Sequence, residues 1–352
     1  MKKEKSCSIK TSIGGQALME GIMMRGPKRS AMAVRNPQGE MVIEEWDTTG
    51  VNRSKIFKLP IIRGVFGFAD SMISGYKCLM RSAEISGLEE LEEEERRAKA
   101  ARKAEKAAKK AAKKGMVIEE SETAVEDNEH EDNKDKKESS FLSGVVMVVS
   151  AVLAIILVVG LFLWLPSSLY TLLGKAIPSI ADNRYLKSIF EGVIRVALLV
   201  GYMALVSLMK DIRRTFMYHG AEHKTIFCYE QGLELTVENV RNQKRFHPRC
   251  GTSFLIIMVL VGIFISFIIP PSLPTIARVA VKIALIPVIM GIGYELIKFA
   301  GKHDNAFVRI ISAPGMWLQH ITTLEPDDDM IECAIAAMQK VIPDDGSDKI
   351  SE

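Results

Sequence analysis

Apolar positions divide this chain into two territories. Beyond residue 140 they gather into four long runs, and before it they recur at short period between blocks of charge. The first run, Val145–Leu165, carries no charge, and about 20 uncharged apolar residues are what an α-helix needs to cross a bilayer. The second, Ser188–Met209, has Glu191 and Arg195 near its start. The third, Ser253–Ile269, is closed by Pro270 and Pro271. The fourth, Ile276–Phe299, carries Arg278 and Lys282 near its start and Glu295 and Lys298 near its end. The pattern predicts a membrane domain of four spans over residues 141–300.

Ahead of these runs the period is different. Within residues 61–87, Ile62, Val65, Phe66, Ala69, Met72, Ile73, Tyr76, Leu79 and Met80 define one helical face, with Arg63, Asp70, Ser74, Lys77 and Arg81 opposite. Such a helix either lies on a bilayer surface or packs on other helices of the chain. In residues 1–60, Ala31–Arg35 and Glu40–Trp46 are strand-like and Asn36 to Gly39 supply turn residues, so a β-hairpin is expected. The preceding GGQALMEGIMMRGPKRS reads as a Gly-permitted turn packed with Met, or as a loop presenting Glu20 or Arg25 to a site elsewhere. Within residues 301–352, DDDMIECAIAAMQKVI follows Pro326. Its acidic first turn and the face Ile331, Ala334, Ile335, Met338, Val341 predict a helix packing back onto the rest.

Composition adds three constraints. Residues 88–140 run from acidic to basic and Ala-rich to acidic again, a linker unable to bury a core. Its basic block either stays solvated or adheres to anionic headgroups. A net charge of +3 and 7% aromatics give no reason to expect nucleic acid as a partner. Five scattered cysteines suit a reducing compartment, and the basic N-terminus lacks the apolar core of a secretory signal.

Lys and Arg concentrate in the connection between runs two and three, which contains Lys210, Arg213, Arg214, Lys224, Arg241, Lys244, Arg245 and Arg249. By the positive-inside rule this connection, residues 210–252, is cytoplasmic, and both termini with it. Arg278, Lys282, Glu191 and Arg195 then lie near the outer end. Glu191 is expected to pair with one of those cations, the alternative being snorkelling to the interface.

The candidate chemistry sits in that connection. In a helix, His219 and His223 of HGAEH lie one turn apart and face the same way, with Glu222 beside them. The order H-x-x-E-H is the inverted zinc-hydrolase motif. Topology brings this segment, His247 and Cys250 of HPRC, and Glu295 to one membrane face. His219, His223, His247, Cys250 and Glu295 are therefore candidate zinc ligands, with Glu222 as catalytic base. Read without a metal, the His pair caps a helix and Cys250 is a small buried residue at a turn.

GGQALMEGIMMRGP, HGAEHKTI with CYE, RFHPRCGTSF, GYELIKFAG and PGMWLQHITTLEP together resemble the YqhQ-like family of bacterial multi-pass membrane proteins, over all but the charged tract. The resemblance implies an inner-membrane protein with a metal site. HGAEH alone resembles inverzincin peptidases, in which the two His and a downstream Glu bind zinc. The matching positions here are His219, His223 and Glu222, with Glu295 downstream. The expected architecture is mainly α, four spans under a small cytoplasmic α+β cap. Two functions follow. One is a zinc-dependent hydrolase acting on a peptide or lipid-linked substrate at the inner leaflet. The other is a non-catalytic membrane scaffold or assembly factor for a protein partner, its site closed by His219, His223, His247 and Cys250. A transporter is a weaker third.

Overall fold

A computed structural model describes residues 9–48, 59–87, 149–180, 183–270, 272–303 and 305–350. The charged linker over 88–140 lies outside the described residues, as does Cys7. The chain forms two units, residues 1–87 with 166–352 and residues 88–165. In the second, the described residues are helical.

The expected hairpin is half of a four-stranded antiparallel meander. Strands β1 (Gly14–Leu18), β2 (Gly21–Arg25), β3 (Arg29–Arg35) and β4 (Met41–Asp47) pair in sequence order. The turn at Asn36 to Gly39 stands, closed by Gly39 at positive φ. The GGQALMEGIMMR stretch is not a Met-packed turn but β1 and β2. It lacks polar alternation because β2 and β3 are covered on both faces. Ile22, Met24, Ala31 and Ala33 face one core, and Leu18, Met23, Met32 and Val34 face another.

The first core is completed from distant sequence. Helix α4 (Lys210–Glu230) contributes Tyr218, Ala221, Ile226 and Cys228, and the short α5 (Val237–Arg241) contributes Val240. Helix α9 (Asp328–Val341) inserts the predicted face together with Met330, Cys333 and Ala337. Residues near both ends of the chain join this unit through a bridge between Thr11 and Lys349.

Helix α1 (Ile62–Ile85) covers the other side of the sheet with the face opposite its apolar stripe. It docks through Gly64, Gly75, Cys78, Ser82 and Ala83, while Phe66, Met72, Ile73, Tyr76 and Met80 stay exposed. Small residues allow close approach. Gly64 lies against Tyr294, and Gly291 of the neighbouring helix lies against Ile61. Among the described residues, Met72, Ile73 and Tyr76 of the apolar face are more than half exposed.

Three helices among the described residues are long and apolar enough to cross a membrane, not four. They are α2 (Val149–Ala176), α3 (Arg184–Val206) and α7 (Thr275–Lys302). In α2 a π-turn over Gly160–Trp164 precedes Pro166, which has no N–H to give. The third apolar run forms α6 (Gly251–Ser266), of 16 residues. At 1.5 Å per residue that is about 24 Å, short of the roughly 30 Å hydrocarbon core. Helix α8 (Ala306–Thr322), continuous through Pro314, packs on α6.

Candidate metal centre

HGAEH is helical, in the second half of α4, so His219 and His223 share a face with ring centroids 4.4 Å apart. Each ring is oriented by a backbone carbonyl. His219 Nδ1–H donates to Thr322 O (2.8 Å) and His223 Nδ1–H donates to Arg245 O (2.5 Å). A carbonyl only accepts, so both Nδ1 atoms carry hydrogen and both Nε2 atoms are left for other work. The His219 Nε2 lies 3.1 Å from Cys250 Sγ, and the buried His223 Nε2 has no partner within hydrogen-bond geometry among the described residues. Ligand atoms of His219, His223 and Cys250 lie within 4.8 Å of one another.

Cys250 arrives there as the N-cap of α6, its sulfur accepting from Thr252 N–H (3.4 Å). A helix N-terminus favours negative charge on that sulfur. Burial alone would keep the thiol protonated, but the two imidazoles bring it well below its usual value. Burial likewise disfavours charge on His219, yet the sulfur beside it pushes the imidazole up to about 10. The thiol is thus the acid of the pair.

The sequence profile described as "Protein of unknown function (DUF1385)" matches residues 59–344. The chain belongs to that family. This DUF1385 chain is 31% identical over 341 residues to "Uncharacterized protein YqhQ" of Bacillus subtilis (strain 168), covering 95% of this chain and 93% of that protein. No solved structure matches it.

The other candidate residues of the DUF1385 chain are placed differently. His247 is near, its ring 5.6 Å from that of His223, but it is engaged elsewhere. Its Nδ1 accepts from Arg249 N–H (3.3 Å), and its Nε2 lies 3.7 Å from Glu230, whose carboxylate also binds Arg249. Glu295 does not join the group. Arg63 of α1 holds it side-on, Nε donating at 2.7 Å and Nη2 to the second oxygen. Glu295 is held away because the Arg63 face of α1 docks on α7. Among the described residues no fourth His, Cys or carboxylate completes the cluster.

Glu222 is buried next to the cluster, and Gly15 N–H of β1 donates to its Oε1 (3.1 Å). Burial raises its pKa against the lowering effect of the two His charges. A Cβ at Gly15 would stand 2.9 Å from Glu222 Cγ, so glycine is what lets strand and carboxylate meet. A cavity of about 430 Å³ opens here, lined by Gly15, Glu222, His223, His247, Cys250 and Lys298. The orienting carbonyls of Thr322 and Arg245 left no mark in the sequence, since any residue supplies a carbonyl. The paired glycines at 14 and 15 were the available sign that a backbone comes close.

Proposed function

We propose that this chain is a membrane-embedded metal-dependent hydrolase. His219, His223 and Cys250 hold one transition-metal ion, and zinc best suits two nitrogens and a sulfur. The observation that carries this reading is the orphaned, buried Nε2 of His223, aimed with a second imidazole at one thiol. The donor set fits such an ion, and three donors beside a cavity favour a catalytic over a closed structural site. When bound, the ion supplies Lewis acidity. Glu222, held at one oxygen by Gly15 and with its pKa raised by burial, takes and returns the proton of the attacking water. The thiolate and Lys298 set the charge of the cavity wall. The Lys and Arg of residues 210–252 support a position for this centre on the cytoplasmic face of a bacterial inner membrane. Thr11 and Ile350 line the same cavity, which supports one side of the membrane for the residues near both ends. The substrate is a peptide or lipid-linked amide reached from the inner leaflet.

Glu222→Gln tests it in cells deleted for the gene. The variant retains metal and fails to restore the wild-type phenotype. Full restoration with metal retained would leave a scaffold with a structural ion.

The 3.1 Å contact between Cys250 Sγ and His219 Nε2 favours one other reading, a metal-free thiolate nucleophile with His219 as its base. Chelator treatment separates the two. The hydrolase loses activity with its ion, and a cysteine nucleophile keeps it.

A further inference from the structure

A second buried polar cluster lies about 30 Å along α7 from Lys298, near the start of that helix. Lys187, Ser188, Glu191 and Arg195 project from one face of α3, and Arg278 and Lys282 from α7. All six side chains are buried, Glu191 and Arg278 completely. Among the described residues, Glu191 is the carboxylate that faces Lys282, Arg195 and Arg278, with Lys187 also in the cluster. Glu191 Oε2 accepts from Lys282 Nζ and from Arg195 Nη2 (3.3 Å). Its Oε1 stands 3.8 Å from Arg278 Nη2, too far for a hydrogen bond. Arg278 Nη1 donates to Pro270 O (2.7 Å), but Nε and Nη2 have no hydrogen-bond partner among the described residues. The hydroxyls of Ser188 on α3 and Ser167 on α2 are likewise buried without partners. Lys187 Nζ lies 5.7 Å from the centre of the Tyr170 ring.

Nε and Nη2 form the edge with which a guanidinium grips two oxygens at once. Arg63 uses that edge on Glu295, Arg214 on Glu20 and Arg241 on Asp328. At Arg278 the same edge is free in a place sealed from water. Buried positive charge in excess is costly unless an anion accompanies it. We infer that Arg278, Lys187 and Ser188 form an anion site that takes a phosphate group, either a lipid headgroup or free phosphate. A tetrahedral oxyanion offers the guanidinium two acceptors and leaves others for the ammonium and the hydroxyl. The site is independent of the metal centre and of any hydrolase activity.

Two arms on the full-length protein test this. In nanodiscs of phosphatidylcholine with phosphatidylglycerol, native mass spectrometry finds one phosphatidylglycerol retained per wild-type chain. In delipidated, zwitterionic detergent, inorganic phosphate raises the melting temperature and the same concentration of chloride does not. A response in the first arm alone assigns the lipid headgroup, and in the second alone free phosphate. Arg278→Gln abolishes the response. Ser188→Ala keeps every charge and weakens binding about tenfold, which guards against a misfolded arginine variant. Silence in both arms, or an unchanged response in both variants, would overturn the assignment.

Discussion

The two buried polar clusters lean in opposite directions. At the α4–α6 end, the Nε2 atoms of two imidazoles converge on a thiol of lowered pKa, a set of metal-ligating atoms. At the start of α3 and α7, one carboxylate is shared among Lys282, Arg195 and Arg278, and the surplus is of N–H donors. The first calls for a cation and the second for an anion. What distinguishes them is less the residue list than which atoms stay unpartnered, His223 Nε2 in one and Arg278 Nε and Nη2 in the other. A buried polar atom without a partner is costly, so each orphan reports the charge of what belongs beside it.

The largest effect is expected where the balance is most lopsided. Glu191→Gln removes the carboxylate that Lys282, Arg195 and Arg278 share and destabilises the protein by about 3–5 kcal/mol. Thermal melting in detergent reads this, and a change within 1 °C would show that Glu191 does not compensate that end.

Glu230 gives the contrast, a buried carboxylate with its partners in place. Burial would raise its pKa, but His247, Arg249 and the Thr11 N–H hold it below the ordinary value. A carboxylate depressed in the folded state stabilises above its unfolded pKa, about 4.3, and that stabilisation is lost as pH falls through the folded value. Glu230→Gln therefore costs about 2–3 kcal/mol at pH 7. The gap between wild type and variant narrows as melts are taken further below pH 4. A gap independent of pH would contradict the assignment.

The orienting carbonyls can be disturbed without touching a ligand. Gly220 lies against the Leu324 carbonyl, where a Cβ would collide, and Leu324 N–H donates to Phe216 O (2.9 Å). Gly220→Ala pushes this strap and, with it, the Thr322 carbonyl that holds His219. Metal affinity falls by roughly 10–100-fold, the usual scale for losing a supporting contact behind a ligand. Competition with a chelator measures it.

The smallest effect falls outside both clusters. Glu20 turns β1 into β2 at φ 50° and pairs with Arg214 (2.5 Å) at the surface. Glu20→Gly relieves the strained backbone and removes the pair, and the two offset to within about 1 kcal/mol.

Sequence and structure agree where a periodic pattern meets a single environment. The face of α9 was legible because one side of it is covered. The helical placement of HGAEH and the nearness of Cys250 followed from where the apolar runs end. Glu191 was expected to find a cation and found three. Pattern failed where both sides are covered or where small residues make the contact. β2 is sandwiched, so it shows no alternation. α1 docks through Gly and Ser and leaves its apolar stripe outside, which also placed Arg63 on Glu295 and removed that carboxylate from the metal candidates. α6 read as a span because its apolar run continues past Ser266, where the helix ends.

Elemental analysis of the purified full-length protein tests the central claim most directly. The account predicts one transition-metal ion per chain in the wild type and in Glu295→Gln, and background levels in His223→Ala and Cys250→Ser. Metal retained by His223→Ala, or absent from wild-type protein reconstituted with zinc, would contradict it.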